Sequence, residues 1–134
     1  MPELDRAEAF ARIRLLRSPH IGPVSYGQLL RRFGSAVAAV EALPDLAARG
    51  GGAYAPAPEA RIEREIGAVR KAGARYLFHD LPDYPPLLKY CEGAPPILIV
   101  RGNGELGART CVAIVGARNA SAAAVRLARA LFFF

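Results

Sequence analysis

The sequence contains few of the residues that build metal centres, disulfide frameworks and catalytic sets. It has two cysteines, two histidines and no tryptophan in 134 residues. Cys91 and Cys111 stand apart from each other and from both histidines, so zinc-ligand spacing is absent and a disulfide framework is not expected. No Ser-His-Asp order and no carboxylate cluster is evident. We therefore expect no metal, no cofactor and no catalytic residues.

Long apolar segments are also missing. No uninterrupted apolar run approaches the roughly eighteen residues of a membrane helix, and no cationic amino-terminal region precedes a short apolar core as in a secretory signal. The sequence therefore disfavours membrane spanning and secretion. The low cysteine content fits a reducing, cytoplasmic location.

Positive charge is in excess. Eighteen lysines and arginines against twelve acidic residues give a net charge of +6, and sixteen of the eighteen cations are arginine. The planar fork of arginine suits phosphate, so a polyanionic partner is one interpretation. A G+C-rich coding sequence also raises the arginine and alanine content without selection for function, and charge alone leaves both interpretations open.

Apolar residues at helical spacing predict four helices before residue 73. They lie in LDRAEAFARIRLLR, with Asp5 as a candidate cap, in VSYGQLLRRFG, in SAVAAVEAL with Ser35 as the cap, and in EARIEREIGAVRKAG. In the last of these, Ile62, Ile66 and Val69 form the apolar stripe. The intervening PDLAARGGGAYAPAPEA is rich in glycine and proline, which predicts a loop.

The pattern changes after Gly73. Three short apolar runs, ARYLF, PPILIVRG and CVAIVG, are typical of fully buried parallel strands. DYPPLLKY predicts a short helix between the first two strands, and SAAAVRLARALFFF predicts a helix after the third. We place a domain boundary near residue 72, between an all-helical part and an α/β part that forms an incomplete sheet with an unprotected edge.

The turn Ile21-Gly22-Pro23 has the spacing of a helix-hairpin-helix motif, in which a glycine turn exposes backbone amides to a phosphate. Many DNA-binding examples carry glycine two residues before the turn glycine, where this chain has His20. Duplex binding and a packing or partner-docking role both remain open for this hairpin. A buried Gly22 would favour the packing role.

The stretch CVAIVGARNAS predicts a strand, a glycine turn and the start of a helix, an arrangement that directs amides and the positive end of a helix dipole at an anion. Gly116 permits a tight turn and Arg118 supplies a fork for phosphate, while Asn119 or Ser121 caps the helix. The stretch is neither a Walker A loop nor a dinucleotide fingerprint. The alternative is an ordinary strand-to-helix turn with an exposed arginine.

DYPPLLKYCEGAPPILIVRGN, followed by VAIVGARNAS, resembles the DNA-processing protein A family, also called DprA or Smf. The resemblance rests on a Tyr-Pro-x-Leu-Leu element, a Pro-Pro-x-Leu strand that ends in glycine, and a Gly-Ser-Arg-like turn, in that order behind a small helical domain. It covers nearly the whole chain. It implies a helical SAM-like or helix-hairpin-helix domain in residues 1–72, followed by the truncated start of a Rossmann-type domain in residues 73–134.

The same resemblance implies a function. Members of the family are bacterial single-stranded DNA-binding proteins that help load the RecA recombinase during natural transformation. We therefore expect a non-enzymatic protein whose partners are single-stranded DNA and RecA, with a homodimer in the full-length parent. Because the family's Rossmann-type domain continues past this turn and LFFF breaks the pattern of the last helix, the chain is expected to be a fragment.

Site residues carry over by position. The family's phosphate-binding turn falls on Gly116, Ala117, Arg118 and the nearby Ser121, with Asn119 between them and alanine where the family often has serine. The resemblance implies a scaffolding role without chemistry for the following residues: Tyr84, Pro85, Leu87, Leu88, Pro95, Pro96 and Gly102.

An enzyme is the alternative from another functional class. Lysine-decarboxylase-like phosphoribohydrolases use a related Rossmann domain with a similar Gly-Ser turn. They also need a downstream Pro-Gly-Gly-x-Gly-Thr segment with a catalytic glutamate, and this sequence contains no such segment. Because the chain is expected to be a fragment, the missing segment leaves this alternative open.

Overall fold

The computed structural model describes residues 4–132. Phe133 and Phe134, part of the helix end singled out above, lie outside the described residues. The elements follow one another as α1 (Arg6–Arg17), α2 (Pro23–Phe33), α3 (Ala36–Arg49), α4 (Glu59–Lys71), β1 (Ala74–Phe78), α5 (Pro86–Lys89), β2 (Ile97–Arg101), a 3-10 turn (Gly104–Ala108) and α6 (Ala122–Phe132). The predicted order of a helical part and then a mixed part is confirmed.

The first three helices pack around α1. Leu15 of α1 is fully buried and meets Tyr26 of α2 and Val40 of α3 in one apolar cluster. The small side chains of Ala36 and Ala39 are also fully buried there, which lets α3 approach α1 closely.

The start of α3 is capped from two sides. The Glu8 carboxylate on α1 accepts hydrogen bonds from the amides of Ala36 at 2.8 and 3.0 Å and of Val37 at 3.2 Å. The Ser35 hydroxyl accepts from the amide of Ala38 at 3.2 Å, which confirms the predicted Ser35 cap. Asp5 stands at the cap position of α1 but makes no side-chain cap bond. The first three amides of α3 thus have acceptors, and a negative charge lies at the positive end of the helix dipole.

The loop after α3 begins later in the structure than the sequence predicts. α3 continues through Pro44 to Arg49, and the loop is confined to residues 50–58. Pro44 lies on the exposed side of the helix, where loss of one backbone hydrogen bond is tolerated because water satisfies the carbonyl. Leu46, Ala47 and Ala48 after it are good helix formers and extend the helix to Gly50.

The sheet differs from the prediction in direction. β1 and β2 pair antiparallel, with Ala74 opposite Arg101 and Phe78 opposite Ile97. The parallel arrangement was wrong: residues 79–96 are numerous enough for a parallel crossover, but they contain only the four-residue helix α5 and lead β2 back along β1 in the opposite direction. Leu77 and Phe78 are both buried at the end of β1, and Phe78 packs against the helical part.

The third predicted strand is not formed in the described residues. Residues 111–115 belong to no strand, and Val112 and Val115 are 86% and 92% exposed. An apolar run becomes a buried strand only when a neighbouring strand satisfies its backbone groups, and the described residues place no strand beside it.

The helical part and β1 share a second apolar cluster. Phe78 packs with Ile13 of α1 and Ile62 of α4, both of which are almost fully buried. Arg12 donates to Asp80 at 2.6 Å and to Glu8 at 3.0 Å while its guanidinium lies 5.7 Å from the centre of the Phe78 ring. Side chains thus pack continuously across residue 72, and the domain boundary there stays a prediction.

We expect Glu8→Ala to lower the free energy of unfolding by about 2 kcal/mol, because it removes a charged acceptor from the α3 amides and leaves Arg12 with one partner. Urea unfolding followed by far-ultraviolet circular dichroism measures this change. Glu8→Gln, which keeps one carbonyl acceptor, should lose less. A loss below about 0.5 kcal/mol for Glu8→Ala, which is the range of an ordinary surface substitution, would contradict the assigned role.

Candidate nucleic-acid interface

The α1–α2 hairpin presents its turn to solvent. Gly22 is the cap residue of α2, is exposed, and has open space where a side chain would begin. The packing role that a buried Gly22 would have favoured therefore gains no support. Pro23 at the first helical position has no N–H, and α2 has no side-chain cap, so the amides of Val24 and Ser25 point out of the helix start.

His20 occupies the backbone conformation that favours glycine. Its φ is 61°, in the left-handed region, and no other non-glycine residue among those described has a positive φ. Related hairpins carry glycine at the position of His20, and glycine adopts this left-handed conformation without strain. In this chain the imidazole of an exposed His20 stands there instead, beside the turn.

Two hydrogen bonds hold the hairpin in place from the α3–α4 loop. The buried Ser18 hydroxyl donates to the carbonyl of Arg14 and accepts from the amide of Ala57 at 2.9 Å. Tyr54 donates from its hydroxyl to the carbonyl of Pro19 at 2.6 Å. Both hydrogen bonds anchor the turn to the loop before α4.

The second candidate lies in the exposed segment before α6. Arg118 and Asn119 form a bend, and Ser121 caps α6 by accepting from the amide of Ala124 at 3.3 Å. Of the two capping candidates, Ser121 makes the cap bond and Asn119 does not. The cap leaves the first two amides of α6, those of Ala122 and Ala123, without an intrahelical acceptor.

The predicted site residues lie together in one exposed stretch. Gly116 and Ala117 precede the bend, and every residue from 109 to 127 is exposed. Gly116 has neither a positive φ nor any atom within 4 Å of the position of an added Cβ, so contacts within the described residues do not require glycine there. Arg118 makes no ion pair within residues 4–132.

Ion pairing separates two groups of arginines. The arginines paired with carboxylates in the described part of the chain are Arg12, Arg14, Arg17 and Arg75. Arg17 is held by Glu65, whose pKa is lowered by the hydrogen bonds from Arg17. In these arginines the positive charge is balanced by a neighbouring carboxylate.

Unpaired positive charge accumulates towards the carboxyl end. Residues 101–134 contain five arginines and one acidic residue, a net charge of +4, whereas residues 1–100 contain thirteen cations and eleven acidic residues, a net charge of +2. The five arginines are Arg101, Arg109, Arg118, Arg126 and Arg129. Only Arg118 was predicted as a phosphate contact, although the uneven distribution of charge along the chain was a signal for the other four arginines.

The scaffold residues implied by the resemblance include a buried tyrosine. Tyr84 is 2% exposed and donates from its hydroxyl to the carbonyl of Pro95 at 2.8 Å, which ties the segment before α5 to the start of β2. Its ring packs against His79 at a centroid distance of 5.1 Å. These contacts are structural and fix the path of the chain between the two strands.

Metal ligands and membrane helices are not found in the described part of the molecule. Residues 4–132 contain no group of three or more histidine, cysteine, aspartate or glutamate side chains that could hold a metal ion. Among the helices described, none is long and apolar enough to span a bilayer.

Two family models match the chain in succession. The model described as the DprA-like N-terminal HHH domain matches residues 6–68, and the model of DNA recombination-mediator protein A matches residues 75–133. A search of curated protein sequences found no significant match. The first match covers the four helices and the hairpin, and the second covers the two strands, the exposed turn and α6. The chain therefore belongs to the DprA/Smf family of DNA recombination mediators.

Proposed function

We propose that this chain binds single-stranded DNA through the exposed turn at Gly116, Ala117, Arg118, Asn119 and Ser121, as part of DNA processing and recombination. The observation that carries the proposal is the combination at one place of an unpaired Arg118, two outward amides of α6 and a serine cap. A guanidinium fork and helix-start amides are complementary to phosphate oxygens.

The neighbouring arginines extend this turn into a wider basic surface. Arg126 and Arg129 lie three residues apart on α6 and therefore on adjacent positions of one helix face. With Arg109 before the turn, they provide several cations for a chain of phosphates. Such contacts read no bases, so the proposed binding is insensitive to sequence and weakens steeply with salt.

We extend the proposal to the partners that the family resemblance implies. The chain would act in the cytoplasm beside RecA, which it would help to load on single-stranded DNA, and would form a homodimer. The matched family is that of a recombination mediator, and neither matching model is described as a hydrolase. We therefore propose a non-enzymatic role rather than that of a phosphoribohydrolase.

Duplex binding at the α1–α2 hairpin is a second candidate function, favoured by the exposed Gly22 and the outward amides of Val24 and Ser25. His20 opposes it, because its imidazole stands where a phosphate backbone would approach. We propose that the hairpin binds duplex DNA weakly in this chain.

His20→Gly tests the hairpin directly. We expect it to raise the free energy of unfolding by about 0.5–1 kcal/mol, because glycine adopts the left-handed conformation without strain. The same change should enlarge the duplex-induced shifts of the Gly22, Val24 and Ser25 amide resonances, which we expect to be small in the unmodified chain. His20→Asn, which tolerates positive φ but keeps a side chain, is the control. Large, saturable, salt-sensitive shifts in the unmodified chain would contradict the proposal that His20 obstructs duplex binding.

Arg118→Ala tests the turn. We expect it to weaken binding of single strands by about 1–3 kcal/mol for all sequences, because it removes a charge-assisted contact to phosphate. The slope of log K against log salt should become shallower by about 0.7. Fluorescence anisotropy of labelled oligonucleotides at several salt concentrations measures both quantities.

Arg49→Ala is the matched control for this experiment. Arg49 is an exposed arginine at the end of α3, remote in sequence from the turn, so its loss changes the net charge equally without removing the proposed contact. If the two variants bind alike, or if Arg118→Ala leaves affinity and salt slope unchanged in a folded protein, the turn is an ordinary strand-to-helix connection.

A further inference from the structure

A cavity of about 340 Å³ lies between α2 and the segments that follow β1 and precede β2. Tyr26, Gly27 and Arg31 of α2 line one wall, and His79 and Asp80 line the other. The cavity is separate from the exposed turn before α6, none of whose residues lines it, and Pro23 of the α1–α2 hairpin lies at its wall.

Tyr26 is a largely buried residue whose hydroxyl has no hydrogen-bond partner among the described residues and is not fully enclosed. Its side chain is 4% exposed, and its hydroxyl makes no hydrogen bond to any residue in the described part of the chain. Every fully enclosed polar side-chain atom in the described residues has a hydrogen-bond partner, so the unpartnered Tyr26 hydroxyl is not fully enclosed. Because Tyr26 lines the cavity, its hydroxyl is accessible from there. Burial raises the pKa of Tyr26 despite the nearby Arg12, so the phenol stays neutral and able to donate a hydrogen bond.

Gly27 leaves space on the same wall. Glycine inside a helix destabilises it by about 0.5–1 kcal/mol relative to alanine. A Cβ at position 27 would meet, within 4 Å, only Nη1 of Arg31, at an ordinary contact distance of 3.4 Å. Packing among the described residues therefore does not require glycine here, and the missing side chain widens the cavity next to the Arg31 guanidinium.

The opposite wall supplies acceptors. Asp80 accepts from Arg12 through Oδ1, yet its side chain is 56% exposed, so the carboxylate retains lone pairs for another donor. Nε2 of His79 donates to the carbonyl of Lys89 at 3.2 Å, so Nδ1 is the ring nitrogen that this contact leaves free. Pro23 and Pro96 add apolar ring surface.

We propose that this cavity holds one nucleobase that carries an exocyclic amino group, with its ring against the two prolines and its phosphate beside Arg31. The amino group would donate to Asp80, and the Tyr26 hydroxyl would pair with a ring nitrogen or carbonyl. A free nucleotide and a base of a DNA strand share this chemistry. The inference rests on the proposed function only where the base belongs to a strand.

The test compares cytosine with uracil, which have the same ring and differ at C4 by an amino donor against a carbonyl acceptor. We expect dCMP to bind about tenfold more tightly than dUMP, because the uracil carbonyl would face the Asp80 carboxylate. Isothermal titration with the full chain measures both affinities. Short dC and dU oligonucleotides then show whether the bound base is a free nucleotide or part of a strand. A preference for cytosine in both mononucleotides and oligonucleotides, or in oligonucleotides alone, supports a base-binding cavity. Equal binding of cytosine and uracil in both forms overturns it.

Gly27→Ala separates binding from folding. It should raise the free energy of unfolding, because alanine stabilises the helix, and at the same time reduce dCMP affinity by an order of magnitude or more by filling the cavity wall. A stabilised variant with unchanged affinity would overturn the proposal. Tyr26→Phe, which keeps the buried ring and removes the hydroxyl, should weaken dCMP binding several-fold.

Two neighbouring arginines provide the charge control. Arg31→Gln should weaken dCMP and dUMP equally, whereas Arg32→Gln, one position further along α2 and outside the cavity, should weaken neither. Arg118→Ala should leave the preference for cytosine over uracil unchanged. Failure of the exposed turn would thus appear as unchanged strand affinity in Arg118→Ala, and failure of the cavity would appear as lost discrimination in the unmodified chain.

Discussion

The arrangement of the helical part depends on one carboxylate, that of Glu8. It accepts from two amides at the start of α3 and from Arg12, which in turn bridges to Asp80 behind β1. A buried helix start without acceptors would be costly, and a buried arginine needs carboxylate partners. This chain of charged groups therefore fixes α3 against α1 and the end of β1 against both, while the apolar clusters around Leu15 and Ile62 supply most of the favourable free energy.

The fixed helical part contrasts with the exposed segment that follows β2. The four ion-paired arginines all precede residue 100, where unpaired ones such as Arg31 and Arg49 also lie, whereas no arginine after residue 100 is ion-paired within the described residues, and residues 109–127 are exposed throughout. A phosphate chain is attracted by unpaired cations, because paired ones are already neutralised by carboxylates. The ion pairs thus identify four arginines that contact carboxylates of the fold, and the exposed segment contributes unpaired arginines to the proposed interface.

Local signals in the sequence predicted local structure well. Periodicity and capping chemistry placed the four helices, and the Ser35 cap was confirmed because it depends on residues three positions apart. Strand direction and the third strand were wrong, since pairing depends on partners elsewhere in the chain. α3 continues past Pro44 to Arg49 because proline is tolerated on the exposed side of the helix. The Glu8 cap and the cavity at Tyr26 join residues distant in sequence, so no spacing in the sequence could reveal them.

The central claim is that the turn before α6 holds phosphate of single-stranded DNA. The most direct measurement is a titration of the ¹⁵N-labelled chain with an oligonucleotide of thymidine, whose base lacks the amino group expected in the cavity. The account predicts saturable, salt-sensitive shifts of the Ala117 to Ala123 amide resonances, together with the Arg118 side-chain Nε–H, and little change in α3. Shifts confined to the α1–α2 hairpin, or an unchanged turn at saturating oligonucleotide, would contradict it.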